Sequence, residues 1–216
     1  MQPKAIIFDM DGLLVDSERV WYVAEDQFIQ SFGHVYTQEA RAAIIGMRVD
    51  EFLGKLKEIY NLEPSVDALS DDLHERILKL IPEEVNAQPG AQAVIDYVTD
   101  NNIPHAIASS SSMRVINTTL ESQGWGEIFK IRCTADDDAN GKPAPDVYLR
   151  AAKTLGVDPK DCIALEDSPN GARAAVAAGM TCYAVPDKSH STPAAFDGIT
   201  PHVFDSLHDV LEKLRS

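Results

Sequence analysis

The sequence predicts an α/β protein: a doubly wound parallel sheet core with an inserted all-helical domain. Three observations carry that expectation. The run Ala5-Ile6-Ile7-Phe8 is apolar without alternation, as in a short strand buried on both faces. A long stretch of purely helical periodicity follows it. Beyond Pro89-Gly90, short apolar runs alternate with helical segments, which implies βαβ units joined by right-handed crossovers.

In chain order, the first strand ends in Asp9-Met10-Asp11-Gly12. Asp16-Ser17 then offers a helix N-cap, and Trp21, Ala24, Phe28 and Phe32 fall at helical spacing before Gly33 stops the run. Phe52, Leu56 and Ile59 repeat the period, as do Val66, Leu69, Leu73 and Ile77, a run that Pro82 is expected to end. Residues 16–87 thus read as all helix with no strand. The predicted order continues with helix 91–100, strand 103–108, helix 113–123, strand 128–133, helix 145–155 and strand 162–165. A small-residue helix at 172–178, a strand at 181–185 and a last helix near 207–214 complete it. The core is accordingly assigned to 1–15 and 88–216, and the helical insertion to 16–87. Gly171, Ala172, Ala174, Ala175, Ala178 and Gly179 read as close helix-to-sheet packing without a chemical role.

Composition narrows the function. The 216 residues fit one domain carrying an insertion, and 44% hydrophobic with 25% charged residues is ordinary for a globular chain. Lys and Arg number 19 against 34 Asp and Glu, a net charge of −15 that repels nucleic acid and anionic membrane. A phosphate-bearing ligand must therefore be held by local charge or by a metal. Cys133, Cys162 and Cys182 show no paired spacing, which argues against a zinc site or a disulfide framework and fits a reducing, cytoplasmic setting. No apolar segment is long enough for a signal core or a membrane span. None of the six histidines has metal-ligand spacing.

In open α/β sheets, ligands bind beyond the carboxyl ends of the strands. The first predicted strand delivers Asp9 and Asp11 there, the second Ser109 to Ser112, the fourth Glu166 and Asp167, and the loop after the third Lys142. Asp9 and Asp167 suit a hard divalent cation such as Mg2+, which usually takes one or two carboxylates together with other oxygens. Without that cation, crowded carboxylates would exclude a phosphate dianion. Ser109, with Ser110 through its amide at the start of a helix, offers donors for phosphate oxygens, and Lys142 adds a positive charge. Ser111 and Ser112 read as caps of that helix, and Glu166 as either a water-mediated ligand or an anchor for a neighbouring loop. Asp9 and Asp11 stand two residues apart, so one can face the phosphorus while the other faces the leaving oxygen. Asp9 is assigned as the nucleophile that forms an aspartyl-phosphate and Asp11 as general acid/base, which gives the leaving oxygen its proton.

Four segments carry a resemblance. Phe8-Asp9-Met10-Asp11-Gly12-Leu13-Leu14-Val15-Asp16-Ser17-Glu18, Ala108-Ser109-Ser110-Ser111, Lys142-Pro143-Ala144-Pro145-Asp146 and Leu165-Glu166-Asp167-Ser168-Pro169-Asn170-Gly171 resemble, in order, the four motifs of the haloacid dehalogenase superfamily. The resemblance implies a Rossmann-like core, a helical cap inserted after the first motif, Mg2+ with Asp9, Asp11 and Asp167 around it, and an aspartyl-phosphate intermediate. Within the superfamily, the first motif with Trp21 is most similar to sugar- and hexitol-phosphate phosphatases, relatives of β-phosphoglucomutase. The family places a cap loop over the active site where this chain has Gly46-Met47-Arg48, so Arg48 is a candidate for a substrate oxygen.

The leading expectation is a Mg2+-dependent phosphatase for small phosphorylated metabolites, sugar or polyol phosphates foremost. A phosphosugar mutase of the β-phosphoglucomutase type uses the same core. The mutases carry a cap histidine where this chain has Trp21, and tryptophan cannot relay a proton. A non-catalytic receiver-like signalling module shares the carboxylates, a Ser/Thr and a lysine, but is shorter and lacks the helical insertion. Dehalogenation needs neither a metal nor a general acid two residues on, so Asp11 and Asp167 count against it.

Overall fold

The computed structural model of the chain describes residues 3–44, 47, 49–189 and 191–216. Strands β1 (Ala5–Phe8) and β2 (Val15–Asp16) precede four helices, α1 (Glu18–Ser31), α2 (Gln38–Ala42), α3 (Val49–Tyr60) and α4 (Val66–Glu84). Then come β3 (Asn86–Ala87), α5 (Ala91–Asp100), β4 (His105–Ser109), α6 (Met113–Ser122), β5 (Arg132–Thr134), α7 (Asp146–Leu155), β6 (Cys162–Glu166), α8 (Pro169–Ala177), β7 (Thr181–Ala184) and α9 (Leu207–Arg215). The chain divides into two compact units, Met1–Asp16 with Asn86–Ser216, and Ser17–Val85. No described helix is long and apolar enough to cross a membrane.

The first unit is the α/β core. Its five strands are all parallel and lie in the order β5-β4-β1-β6-β7, which puts β1 at the centre. Every residue of β1 is buried, as an apolar run without alternation requires of a strand covered on both faces. Phe8 stands level with Ile107 of β4 and Leu165 of β6, so the three strands end within two residues of one another. Helix α7 packs on β4 and β1, and α8 lies on β6 and β7 through buried Ala172, Ala174 and Ala175.

The second unit is helical. α1 buries Val20, Ala24, Phe28 and Ile29, α3 buries Phe52, Leu53 and Leu56, and α4 buries Leu69, Leu73, Ile77 and Ile81. α4 packs against both α1 and α3, so the three apolar stripes make one core. Thr37 and Ser65 cap α2 and α4 by accepting from Ala40 N and Ala68 N.

Several local expectations are corrected. Residues 16–87 are not strand-free: Val15 pairs with Ala87 and Asp16 with Asn86 in a two-stranded antiparallel ribbon. Two-residue strands are too short to show alternation. Pro82 lies inside α4, which runs on for two residues to Glu84, so the proline stands in the last turn rather than ending the helix. Ser17 takes the N-cap position of α1, but its side chain accepts no cap bond. The strand expected from 128 begins only at Arg132, since Ile128 N and Phe129 N both donate to Trp125 O in a local turn. α8 begins at Pro169, with Ser168 Oγ accepting from Gly171 N at 3.1 Å.

A buried acid in the helical unit makes stability depend on pH. Glu25 of α1 is buried and accepts from Tyr36 Oη at 2.7 Å. Burial pushes its pKa from 4.5 up to about 7, against the opposing pull of the Tyr36 hydrogen bond and Arg41. Between these two values the folded chain holds a proton that the unfolded chain has lost, so stability falls as pH rises through that window. The loss amounts to about 3 kcal/mol once pH exceeds the folded value. Glu25→Gln is therefore expected to gain stability over the natural chain at pH 8 and to gain little at pH 4, as read by urea unfolding. Equal pH slopes for both chains would disprove it.

Candidate active site

Asp9 directly follows β1, and its N–H donates to Leu165 O of β6 at 3.0 Å, which ties the first acidic residue to the strand that delivers Glu166 and Asp167. Ser109 is the last residue of β4. The sheet order puts β1 between β4 and β6, so these ends converge. Asp9, Glu166 and Asp167 each place one carboxylate oxygen within 4.8 Å of the others, and all three are buried.

Lys142 reaches this group from the loop before α7. Its Nζ donates to Asp9 Oδ1 at 2.6 Å, to Glu166 Oε1 at 2.6 Å and to Ala108 O at 3.1 Å, and its side chain is only 7% exposed. Burial works against the charged ammonium, but Asp9 and Glu166 outweigh it and hold the pKa above the ordinary lysine value. Asp9 shows the converse: burial, aided by Glu166 and Asp11, pushes its pKa up to about 8 although Lys142 pulls it down. Asp167 is raised in the same direction, first by burial and then by Asp9 and Glu166.

Burial is the first cause of both carboxyl shifts, and charge crowding adds to it. Three carboxylates against one ammonium leave a buried pocket two negative charges in excess. The chain by itself relieves that excess by taking up protons, and a divalent cation would relieve it without them. An all-oxygen donor set fits a hard cation such as Mg2+.

The other predicted residues fall as follows. The Asp11 carboxylate lies outside the three-carboxylate cluster; its Oδ2 accepts from Ser111 Oγ at 2.8 Å and from Ser109 Oγ at 3.3 Å. Ser109 Oγ in turn accepts from Ser111 N at 3.0 Å. Ser111 is thus an Asp11 partner and not a helix cap. Ser112 occupies the α6 N-cap position without a side-chain cap bond, and its Oγ is buried without a hydrogen-bond partner. Ser110 stands half-buried between them. Arg48 lies outside the described residues, while Trp21 packs edge-on against Phe52 in the helical unit, ring centres 6.4 Å apart.

Sequence reasoning missed three residues. Tyr148 of α7 donates from Oη to Glu166 Oε1 at 2.7 Å and is fully buried. Its spacing matched an ordinary core aromatic, so the pattern held no signal for this contact. Gly171 was read as packing alone; a Cβ there would fall 1.8 Å from Glu166 Oε1, so its missing side chain is the space the carboxylate occupies. Asp187, beyond β7, brings Oδ2 to 3.1 Å from where a Gly12 Cβ would stand, and that same point is 2.2 Å from Asp167 Oδ2. Gly12 also has φ +79°, a backbone state that favours glycine, so this turn excludes other residues twice over.

The chain is similar to known proteins. The family model described as haloacid dehalogenase-like hydrolase matches residues 6–185. Hexitol phosphatase B of Escherichia coli K12 is 33% identical over 188 residues, covering 86% of this chain and 84% of its own length. The phosphorylated carbohydrates phosphatase of Thermotoga maritima is 30% identical over 177 residues, covering 82% of each chain. The crystal structure of CbbY from Rhodobacter sphaeroides in complex with phosphate superposes with a TM-score of 0.87 at 27% identity, over 99% of this chain and 100% of that one.

Proposed function

The chain belongs to the haloacid dehalogenase-like hydrolase family and is a phosphoric monoester hydrolase, and from that premise we propose that it hydrolyses sugar or polyol phosphates through an aspartyl-phosphate on Asp9. The observation that carries the reading is the buried group of Asp9, Glu166 and Asp167 around Lys142, beside a serine run at the end of β4. The hexitol and carbohydrate phosphatases to which the chain is similar support the substrate class. In this reading Ser17–Val85 is the cap, and Trp21 lends it an apolar surface with one N–H donor but no group that titrates.

Each side chain has a defined task. The Asp9 carboxylate attacks phosphorus, the bond from phosphorus to the sugar oxygen breaks, and Asp11 gives that oxygen its proton. Water then attacks the acyl phosphate while Asp11 takes its proton, releasing inorganic phosphate and restoring Asp9. Ser111 and Ser109 aim Asp11 through the oxygen they share. Ser109, the amide of Ser110 and Lys142 receive the phosphate oxygens. Asp9 and Asp167 would hold Mg2+, which when bound supplies the charge that admits a phosphate dianion among carboxylates.

A panel of phosphorylated metabolites, assayed for phosphate release with Mg2+ and with excess chelator, tests this reading. Release is expected from sugar and polyol phosphates with Mg2+, falling to background with chelator. Full turnover in chelator would remove the metal from the proposal. The panel includes β-glucose 1-phosphate with a trace of glucose 1,6-bisphosphate. Conversion to glucose 6-phosphate much faster than phosphate appears would make the enzyme a mutase instead.

A further inference from the structure

We propose that Tyr148 is a positioning residue for this reaction, holding Glu166 and, through it, the phosphate-binding Lys142; the inference rests on the phosphatase reading above. Tyr148 stands in the first turn of α7, six residues after Lys142, and is fully buried. Its O–H donates to Glu166 Oε1 at 2.7 Å, the same oxygen that receives Lys142 Nζ at 2.6 Å. Its ring lies under the ammonium, 5.0 Å from centre to Nζ.

The rest of the Glu166 carboxylate is committed elsewhere. Oε2 accepts from Asp167 N at 3.1 Å, Ser168 N at 3.3 Å and Ser168 Oγ at 3.2 Å. One oxygen therefore anchors the turn into α8, and the other aims the lysine. Lys142 spends its donors on Asp9 Oδ1, Glu166 Oε1 and Ala108 O, with the Tyr148 oxygen farther off at 3.5 Å. If Glu166 rotated about its last bond, the lysine would lose one of its two charged supports, and Tyr148 is the neutral donor that opposes that rotation.

A buried hydroxyl is costly unless it is bonded, and a phenylalanine would fill this volume equally well. The oxygen of Tyr148 is thus present for its hydrogen bond, and Glu166 is what it meets. Its carboxylate in turn fits only because Gly171 carries no side chain there.

The test is a double-mutant cycle between Tyr148→Phe and Glu166→Gln, with thermal unfolding followed for every chain. Phenylalanine keeps the ring and the volume, so the fold is expected to survive. Two quantities are read with Mg2+ present: kcat/KM for a sugar phosphate, and the Kd of inorganic phosphate by calorimetry, which needs no turnover. Tyr148→Phe is expected to lower kcat/KM about tenfold and to weaken phosphate binding several-fold in the natural chain. In the Glu166→Gln background the same change is expected to have less than about a twofold effect on either quantity. Equal factors in both backgrounds, or no loss in the natural one, would overturn the inference and leave the phosphatase reading standing. Failure of the natural chain to release phosphate from any monoester would remove that reading, and the inference with it.

Discussion

Asp9→Asn is expected to reduce phosphate release by at least about 10^4-fold, because an amide oxygen is a far poorer nucleophile than a carboxylate. The substitution is close to isosteric, and it removes a charge from a buried pocket in which burial already pushes the Asp9 pKa up to about 8. Lys142 keeps Glu166 Oε1 and Ala108 O as acceptors, so the lysine has no reason to leave. The fold is therefore expected to hold while the chemistry stops. Steady-state release and rapid-quench trapping of a labelled phosphoenzyme read the two sides of this result. Label on another residue of the variant, or turnover within a hundredfold of the natural chain, would take the nucleophile away from Asp9.

Gly171→Ala is expected to have the next largest effect, smaller and by a different route. The new Cβ would meet Glu166 Oε1 at 1.8 Å, Cδ at 2.0 Å and Oε2 at 2.2 Å, so no small rotation relieves the overlap and the whole carboxylate must move. Overpacking of this kind costs about 1–3 kcal/mol. Displacing Glu166 also breaks its bonds to Tyr148 and Lys142, and a lysine misplaced by about an ångström is expected to lower turnover roughly a hundredfold. The backbone of Gly171 is ordinary helix, so the effect would come from space alone. Gly33→Ala serves as the contrast: its virtual Cβ meets nothing within 4 Å, and activity is expected to persist there despite a strained φ of +80°. A Gly171→Ala variant with natural melting temperature and natural kcat would show that Glu166 has room to spare.

Much of this protein follows from local patterns. The apolar run at Ala5–Phe8, the amphipathic spacing through α1, α3 and α4, and the alternation beyond Pro89 are each determined by burial over a few neighbouring residues, so they are legible along the chain. The rule that places ligands at the carboxyl ends of parallel strands then leads from those elements to Asp9, Ser109, Lys142 and Asp167 without a coordinate. What failed was short or terminal: the ribbon of β2 and β3, the late start of β5 and the passage of α4 over Pro82 depend on single hydrogen bonds that periodicity averages away.

The tertiary structure alone decided how the site is wired. Asp11 and Ser111 are 100 residues apart in sequence, and Lys142 is 24 residues from Glu166, so no spacing rule pairs them. Whether Glu166 faces a cation, a lysine or a tyrosine depends on where α7 and α8 set their first turns against the sheet. A buried carboxylate must find its partners across those packed elements, and a chain read residue by residue contains only local distances. Sequence by itself therefore determined that Asp9, Ser109, Lys142 and Asp167 lie at the strand ends, but not that Tyr148 and Asp187 join them. Packing determined which of them touch, because hydrogen-bond geometry is set to a fraction of an ångström by contacts between segments far apart in the chain.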